Sequence, residues 1–242
     1  VTLILGMKPA QHEFKVMGLA PYGTEYHGNR SLEFFRTINR VVGPEIHDTK
    51  TIPGLYFSVR DALEGERFDG IAWGLQTYLE EMLSAWVTNN IHAHGIDRVV
   101  LSGGVAQNIK AGKALLDLPA VHQFWVGPIA GDGSLAIGAA WLATRAAVPQ
   151  VKITGIDRIY LGTAHGTRAI DDAIAQCGLG QRFAVAAQPT AADVAAWIDR
   201  GAIVARFSGR MEFGQRALGN RSILADPRRS ESVERINEKI KY

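Results

Sequence analysis

The sequence predicts an α/β protein, and three observations carry this prediction. An apolar strand at 97–104 ends in paired glycines and is followed by a helix at 105–116. A second strand, at 123–127, also leads through glycines into a helix, at 135–145. Near-helical spacing of apolar residues over 68–92 adds a long helix with one buried face. Repeated units of strand, glycine turn and helix favour a sheet covered by helices, with ligands at the strand ends.

Composition limits the class of protein. The 242 residues can form one large domain or two medium ones, and 47% hydrophobic against 21% charged residues suits a globular chain with a real core. Lys and Arg number 26 against 24 Asp and Glu, which gives no general basic surface for nucleic acid. The single cysteine, Cys177, excludes an internal disulfide and fits a reducing compartment. Because no apolar run is long enough to cross a bilayer and no signal-peptide pattern opens the chain, we expect a cytoplasmic protein.

Short elements are predicted before the long helix. An apolar run at 1–5 has β character. Pro21 and Gly23 end a stretch of one or two helical turns that begins near His12. The remaining predictions for this part of the chain are a helix at 31–42 and a short strand at 55–59.

The paired glycines after the 97–104 strand are a candidate ligand site. Gly103 and Gly104 stand where a strand gives way to a helix, an arrangement that leaves backbone N–H groups pointing at a phosphate or nucleotide. The GxxxxGK[ST] spacing of a Walker loop is missing, and so is the dinucleotide fingerprint. By itself, a Gly-Gly turn is more often a plain connection than a ligand site.

Asp132 has two interpretations. It lies between Gly131 and Gly133, just before the predicted 135–145 helix. An aspartate in this position can cap the helix N-terminus, or it can direct its carboxylate at a bound cation. From these residues alone the cap is favoured, and the cation site stays open.

A change in the sequence pattern at 146–152 predicts a domain boundary. There an Ala-rich helix stops and Pro149 interrupts the chain, so we expect one domain at 1–147 and another at 148–242. The second domain is also predicted to be α/β, with strands at 158–161, 182–186 and 202–207 and helices at 167–177, 191–200 and 231–239.

The segment 209–227, which follows the last predicted strand, is the strongest candidate anion site. Arg210, Arg216 and Arg221 alternate in it with three glycines, and Asn220 and Ser222 add hydrogen-bond donors. Glycines let the backbone turn and approach a ligand, and guanidinium forks bind phosphate or carboxylate oxygens in pairs. A surface loop with ordinary ion pairs is the competing interpretation, which the regular spacing disfavours.

Four collinear segments together resemble the O-carbamoyltransferases of the nodulation-protein and antibiotic-biosynthesis type. They are EFKVMGLAPYG (13–23), LSGGVAQN (101–108), GDGSLAIGAAW (131–141) and GRMEFGQRALGNRSILADPR (209–228). The last segment is the most specific, and it departs from the family at Gln215, where proline is common. The likeness runs in order over nearly the whole chain.

The resemblance implies a fold for each domain and a reaction in two steps. Residues 1–147 would be the later portion of an actin/hexokinase-like, sugar-kinase-type domain, and 148–242 the start of a threonylcarbamoyl-AMP-synthase-like domain that processes carbamoyl phosphate. Carbamoyl phosphate and ATP would first give carbamoyl-adenylate. The carbamoyl group would then pass to an acceptor hydroxyl at an iron-type metal site in the first domain. Because the chain opens without methionine and ends directly after a helix-like segment, we expect an internal piece of such a protein.

In the second domain the resemblance assigns the reacting anions to the arginine-rich segment. Arg210, Arg216 and Arg221 would be the catalytic residues that hold carbamoyl phosphate and the phosphates of ATP. Asn220 and Ser222 would assist them in binding the nucleotide.

In the first domain the resemblance implies a nucleotide site and part of a metal site. Gly103, Gly104 and Asn108 would bind the adenylate, and Lys15 would contact the ligand in the substrate cleft. Asp132 would be a metal ligand, which reverses the preference for a cap. The family's metal also needs two histidines four residues apart on a helix, and no two of the seven histidines have that spacing. We therefore expect an incomplete metal site here, with the missing pair upstream of the chain.

Two other functions compete with this one. A hydrogenase-maturation carbamoyltransferase would carry a zinc-finger portion, and no CxxC pair is present. A non-catalytic nucleotide-binding regulatory module of sugar-kinase-like fold is the alternative from a different class. The acceptor could be any hydroxyl-bearing small molecule or sugar, and no nucleic-acid or membrane partner is expected. The oligomeric state is left open, a homodimer included.

Overall fold

The protein contains two compact units, Val1–Ala147 and Val148–Tyr242. Helices and small sheets occur in both units, which confirms a mixed α/β protein. The more specific domain folds implied by the resemblance stay predictions. The computed structural model describes residues 1–49, 54–127, 129–156, 158–185, 189–214 and 216–241.

The first unit surrounds one long helix with shorter elements. Its helices are α1 (Glu13–Leu19), α2 (Glu25–Arg36), α3 (Leu55–Ala62), α4 (Phe68–His94), α5 (Ile109–Leu116) and α6 (Leu135–Ala147). Its strands are β1 (Asn39–Val42), β2 (Glu45–Asp48), β3 (Arg98–Leu101) and β4 (Gln123–Val126). Short 3-10 turns lie at Ala20–Tyr22, Gly104–Gln107 and Asp132–Ser134.

Helix α4 is the long helix predicted at 68–92, and both core clusters of the first unit pack on it. Ile71 and Tyr78 lie in a cluster with residues of α1, α2 and α3, and Leu83 lies in a second cluster with residues of α5. The helix ends at Gly95, whose φ of +67° is left-handed and whose N–H donates to the Ile91 carbonyl at 2.8 Å. The helix is therefore confirmed, but the single buried face is wrong: the successive residues 70–72 are all buried, and so are Gln76 and Tyr78.

Helices α2 and α4 touch through backbone. A Cβ placed on Gly70 would lie 2.2 Å from the carbonyl oxygen of His27, and one on Gly74 would lie 2.8 Å from the amide nitrogen of Leu32. Ser31 is completely buried at this contact, and its hydroxyl has no hydrogen-bond partner among the described residues. Small residues therefore let the two helices approach closely.

The helix predicted at 31–42 is wrong in its second half. Helix α2 ends at Arg36, and Asn39–Val42 instead pairs antiparallel with Glu45–Asp48, Val41 opposite Ile46. The tip of this hairpin is attached to α4, because Trp86 Nε1 donates to the Pro44 carbonyl at 2.8 Å. Tertiary pairing thus overrides a local helical pattern.

Two short strands predicted in the first unit are also wrong. Residues 1–5 form turns, with the N–H of Leu5 donating to the Val1 carbonyl at 3.0 Å, because no neighbouring strand pairs with them in the described part of the chain. The strand predicted at 55–59 is helix α3, which buries Val59 and begins after Gly54 at a φ of +58°. A short apolar run fits either state until its packing partner is known.

Strands β3 and β4 are confirmed and form a parallel pair, with Arg98 opposite Gln123 and Leu101 opposite Val126. Their carboxyl ends therefore lie at the same edge of the sheet. Each strand runs from that edge into a glycine-containing loop and a 3-10 turn before the next helix begins.

The second unit has helices α7 (Thr167–Gln176), α8 (Leu179–Arg182), α9 (Ala191–Asp199) and α10 (Ser230–Ile236), the last continued by a π-helical turn at Asn237–Lys241. Its strands, β5 (Val204–Phe207) and β6 (Arg221–Leu224), pair antiparallel. No helix in the described part of the chain is long and apolar enough to cross a membrane.

Two strands predicted in the second unit are not formed. At 158–161 the N–H of Leu161 turns back to the Ile159 carbonyl at 3.1 Å, which breaks an extended path. The strand predicted at 182–186 is replaced by the end of α8 at Arg182 and an irregular stretch, with residue 186 outside the described residues. Strand β6, in contrast, was not predicted, because it lies inside the arginine-rich segment.

Candidate functional site

The loops that follow β3 and β4 are in direct contact in the first unit. The N–H of Gly103 donates to the Ala130 carbonyl at 2.7 Å, and Gly103 has a φ of +100°. A Cβ on Gly131 would lie 2.3 Å from the side-chain amide of Gln107. Glycine is therefore favoured at 103 by its backbone conformation, whereas at 131 an added Cβ would require the Gln107 side chain to move.

The helix predicted at 105–116 is split, and Asn108 is the point of division. A 3-10 turn at Gly104–Gln107 comes first, and α5 begins at Ile109. Asn108 is the N-cap, since its Oδ1 accepts from the N–H of Ala111 at 3.0 Å. The predicted adenylate residue Asn108 thus has a structural role in the geometry seen here.

Gln76 on α4 joins Asn108 in a reciprocal amide pair. Asn108 Nδ2 donates to Gln76 Oε1 at 2.8 Å, and Gln76 Nε2 donates to Asn108 Oδ1 at 3.2 Å and to Glu80 Oε1 at 2.7 Å. Gln76 is only 8% exposed. These bonds tie the Gly104–Asn108 loop to the central helix and satisfy a buried polar group.

A cavity of about 310 Å³ lies beside this amide pair, between α1, α4 and the 104–108 loop. Its lining is mainly apolar and also includes Glu13 and the amide side chains of Gln76, Gln107 and Asn108. Gly104 and Asn108 line it, whereas Gly103 does not, and Lys15 is an exposed residue of α1 that is not part of the lining. Phe14, Met17, Leu75 and Leu79 are among the apolar lining residues.

Asp132 is exposed and is the first residue of the 3-10 turn Asp132–Ser134, which Gly131 precedes as N-cap. Within the described ranges, no group of three or more His, Cys, Asp and Glu side chains could hold a metal ion. The described residues therefore do not fit an iron-type ion by themselves.

The arginine-rich segment connects β5 to β6 in the second unit. Phe207 pairs with Arg221, and the N–H of Ser208 donates to the Asn220 carbonyl at 3.0 Å. Asn220 Nδ2 donates to the Arg210 carbonyl at 2.8 Å. The segment is thus a closed hairpin loop, and the Asn220 side chain contributes to its closure.

Glu212 lies at the centre of this loop. Its Oε1 accepts from the backbone N–H groups of Leu218, Asn220 and Arg221 at 2.8, 2.7 and 3.1 Å. Desolvation raises the pKa of the Glu212 carboxyl, but these N–H groups outweigh it and hold that pKa at about 2. The carboxylate takes the position that a bound anion takes in a glycine-rich loop.

The guanidinium of Arg221 faces the loop's own backbone. Nη1 donates to the carbonyls of Ser208 and Asn220 at 2.8 and 2.9 Å, and Nη2 donates to that of Gly209 at 3.2 Å. Its Cζ lies 3.6 Å from the ring centroid of Phe207, at cation–π distance. Three of the five N–H donors of this fork therefore hold protein atoms.

Arg210 and Ser222 also make contacts inside the second unit. Arg210 Nη1 donates to the Gly162 carbonyl at 3.0 Å, and the N–H of Gly162 donates to the Met211 carbonyl at 2.9 Å. Ser222 Oγ accepts from the N–H of Gly219 at 2.9 Å. Arg216 is exposed, and Gln215 lies outside the described residues.

Asp226 organises the chain after β6. It is 3% exposed, and Arg228 donates to it from its backbone N–H and from Nε, both at 2.9 Å. The side-chain bond from Arg228 is the main cause that lowers the pKa of Asp226 to about 2. Arg228 also bonds Asp199 at 2.7 Å, which links the end of α9 to this turn.

Gln76 and Glu212 were missed by sequence reasoning. Gln76 is a polar residue in a long helix, where such residues are usually exposed, and Glu212 lies in a loop that was selected for its arginines and glycines. Glu212 is the only acidic residue between 209 and 222. A lone acid among arginines and glycines is the signal that could have identified it.

Family matches cover both units. The family described as carbamoyltransferase N-terminus matches residues 1–141, and that described as carbamoyltransferase C-terminus matches 195–242. These two ranges include all four segments that carried the resemblance.

Curated relatives extend over nearly the whole chain. The nodulation protein NolNO of Sinorhizobium fredii is 34% identical over 234 residues, which are 95% of this chain and 34% of that protein. The nodulation protein NolO of Bradyrhizobium diazoefficiens is 31% identical over 236 residues, 95% of this chain and 42% of that protein. An uncharacterised protein of Methanocaldococcus jannaschii is 30% identical over 258 residues, 100% of this chain and 47% of that protein.

The chain spans between about a third and a half of the length of these relatives. The N-terminal family match alone covers more than half of the chain, and the C-terminal match follows it in the expected order. The chain therefore belongs to the carbamoyltransferase family.

Proposed function

We propose that this chain is the part of an ATP-dependent O-carbamoyltransferase that makes and receives carbamoyl-adenylate. Carbamoyl phosphate, ATP and one water would give carbamoyl-adenylate, phosphate and pyrophosphate. The carbamoyl group would then pass to a hydroxyl of a small molecule or sugar, releasing AMP. The observation that carries the proposal is that the two family matches fall one in each compact unit.

We assign formation of the adenylate to the second unit. Arg210 and Arg216 would meet the phosphates of carbamoyl phosphate and ATP, and Arg221 would add its remaining donors from the base of the loop. Guanidinium groups stabilise the charge that develops when a phosphoryl group transfers or an acyl phosphate opens. Because Asn220 and Ser222 already bond the loop backbone, their proposed contribution to nucleotide binding is through the shape of the loop.

We assign binding of the adenylate to the first unit. The cavity beside Gly104 and Asn108 has the size of a small-molecule site, and its lining is mainly apolar with a few polar side chains. The adenine would lie against Phe14 and Leu79, and Gly103 would shape the turn that presents Gly104. Lys15 stays a proposed contact in the acceptor cleft, outside the cavity lining.

The proposal is tested by pyrophosphate–ATP exchange that depends on carbamoyl phosphate. The assay is run on this chain and on the protein produced from its natural reading frame. Exchange is expected in the wild type and is expected to be lost in Arg216→Ala. The matched control is Arg168→Ala, an exposed arginine of α7 outside the loop.

ATP binding measured by equilibrium dialysis separates the enzyme from its alternative. Clear ATP binding with no exchange under any condition would favour the non-catalytic regulatory module of sugar-kinase-like fold. Exchange that does not need carbamoyl phosphate would also contradict the proposed donor.

A further inference from the structure

The backbone N–H groups of four consecutive residues in the arginine-rich loop end on protein atoms. Glu212 Oε1 accepts those of Leu218, Asn220 and Arg221 between 2.7 and 3.1 Å. Ser222 Oγ accepts that of Gly219 at 2.9 Å. A run of N–H groups of this kind usually forms an anion-binding concavity. Here the anion is a carboxylate of the same loop.

Glu212 also acts on the rest of the loop through these bonds. The carbonyl of Leu218 accepts from Tyr160 Oη at 3.1 Å, and that of Asn220 accepts from the N–H of Ser208 at 3.0 Å. The 218–221 segment, whose N–H groups Glu212 accepts, is thus bonded on one side to Ser208 at the end of β5 and on the other to Tyr160. Loss of the carboxylate would leave three N–H groups without their common acceptor.

The electrostatics of the loop agree with this arrangement. Hydrogen bonds to a charged acceptor are stronger than bonds between neutral groups. The lowered pKa of Glu212 means that its carboxylate stays charged throughout the neutral range. The loop can therefore keep its form before any phosphate arrives.

We propose that Glu212 is a positioning residue for carbamoyl-adenylate formation, an internal anion that shapes the loop so that ligand phosphates meet guanidinium groups and not backbone N–H groups. This inference rests on the proposed function of the arginine-rich loop. It differs from a phosphate-cradling loop, in which the ligand itself would order the backbone.

The test compares Glu212→Ala and Glu212→Gln with wild type. Glu234→Ala is the matched control, because Glu234 is an exposed glutamate of α10 in the same unit. Hydrogen exchange of peptides over 216–224 reports the loop directly and needs no activity. Amide exchange there is expected to become at least about tenfold faster in Glu212→Ala, since loss of one strong hydrogen bond is enough for that factor. Glu212→Gln, which keeps an acceptor oxygen without the charge, is expected to lie between.

Pyrophosphate exchange supplies the functional readout. It is expected to fall by up to about 100-fold in Glu212→Ala, the effect of displacing reacting groups by roughly an ångström. Sodium formate, compared with sodium chloride at equal ionic strength, is expected to restore part of both the rate and the amide protection. Transfer from pre-formed carbamoyl-adenylate, measured on the protein produced from the natural reading frame, is expected to stay unchanged, which confines the effect of Glu212 to formation of the adenylate.

Any of the following outcomes would contradict part or all of the proposed role of Glu212. Unchanged amide exchange in Glu212→Ala would mean that Glu212 does not hold the loop. Tighter binding of carbamoyl phosphate or ATP by Glu212→Ala would mean that the carboxylate competes with the ligand for the N–H groups. If wild type shows no pyrophosphate exchange, the proposed function falls and the catalytic half of this inference with it, while hydrogen exchange still decides whether Glu212 shapes the loop.

Discussion

Replacing Gly70 with alanine tests the close contact between α2 and α4 on which the first unit is built. The added Cβ would lie 2.2 Å from the His27 carbonyl oxygen and 2.8 Å from its carbon, whereas carbon–oxygen contacts normally begin near about 3.3 Å. The two helices must therefore separate by about 1 Å. Because both contacted atoms belong to the backbone, no side-chain rotation can relieve the clash.

The expected cost follows from two opposing effects. Overpacking of this kind costs about 3 kcal/mol, at the upper end of the usual range. Replacement of glycine by alanine in a helix returns at most about 1 kcal/mol. The free energy of unfolding of Gly70→Ala should therefore fall by about 2 kcal/mol.

The matched control is Gly138→Ala in α6. A Cβ on Gly138 meets nothing within 4 Å, so only the higher helix propensity of alanine applies. The free energy of unfolding of this variant should therefore rise by up to about 1 kcal/mol. Urea denaturation followed by far-UV circular dichroism and tryptophan fluorescence measures both variants. Trp73 contributes to the fluorescence signal, and its ring packs at Gly28 in the same contact. A Gly70→Ala protein as stable as Gly138→Ala would refute the close helix contact.

The remaining predictions concern both units. Asn108→Ala should lower the free energy of unfolding by about 1 kcal/mol through loss of the helix cap, and by more because the buried amide of Gln76 loses its partner. Urea denaturation measures this free energy, and an unchanged value would contradict the reciprocal amide pair. In the protein produced from the natural reading frame, Arg216→Ala and Arg221→Ala should each lower carbamoyl-adenylate formation by about 100-fold or more and spare transfer from pre-made adenylate. Arg221→Ala should in addition speed amide exchange in the loop. Equal loss of both half-reactions would contradict this division of labour. The pKa of Asp226 is lowered to about 2 in the folded protein. The stabilisation of the fold by this carboxylate is therefore complete above the ordinary pKa of aspartate and is lost as the pH falls towards 2. Urea denaturation between pH 5 and pH 2 should therefore show a weaker acid dependence in Asp226→Asn than in wild type; identical pH profiles would be inconsistent with that pKa.

Prediction from sequence succeeded where the controlling interactions are local. The 68–92 pattern identified α4, because apolar residues at helical spacing favour a helix. Burial on more than one side of its first half depends on α2, which packs on it and is distant in sequence. The strands before the two glycine loops were also found, because each short apolar run is bounded by turn residues. The stretch 55–59 was misassigned because Val59 needs a packing partner, and that partner is distant in sequence.

For the candidate site, residue types were predicted but the partners were not. Asn108 was expected to hold a nucleotide, and the structure adds a cap and a bond to Gln76, which lies 32 residues earlier. The backbone of the arginine-rich loop was expected to approach an anion. In the structure, three of those N–H groups donate to the carboxylate of Glu212.

The amino-acid sequence alone determined the family, the main helix and the place of the glycine and arginine loops, because these depend on short-range spacing and on motifs that lie together along the chain. Only the tertiary structure decided which polar atoms of those loops are already bonded. Hydrogen-bond partners such as Gln76 for Asn108 and Tyr160 for Leu218 are far apart in sequence and meet only after folding. A donor that has found an internal acceptor is no longer available to a ligand, and that difference separates a residue that binds from one that positions.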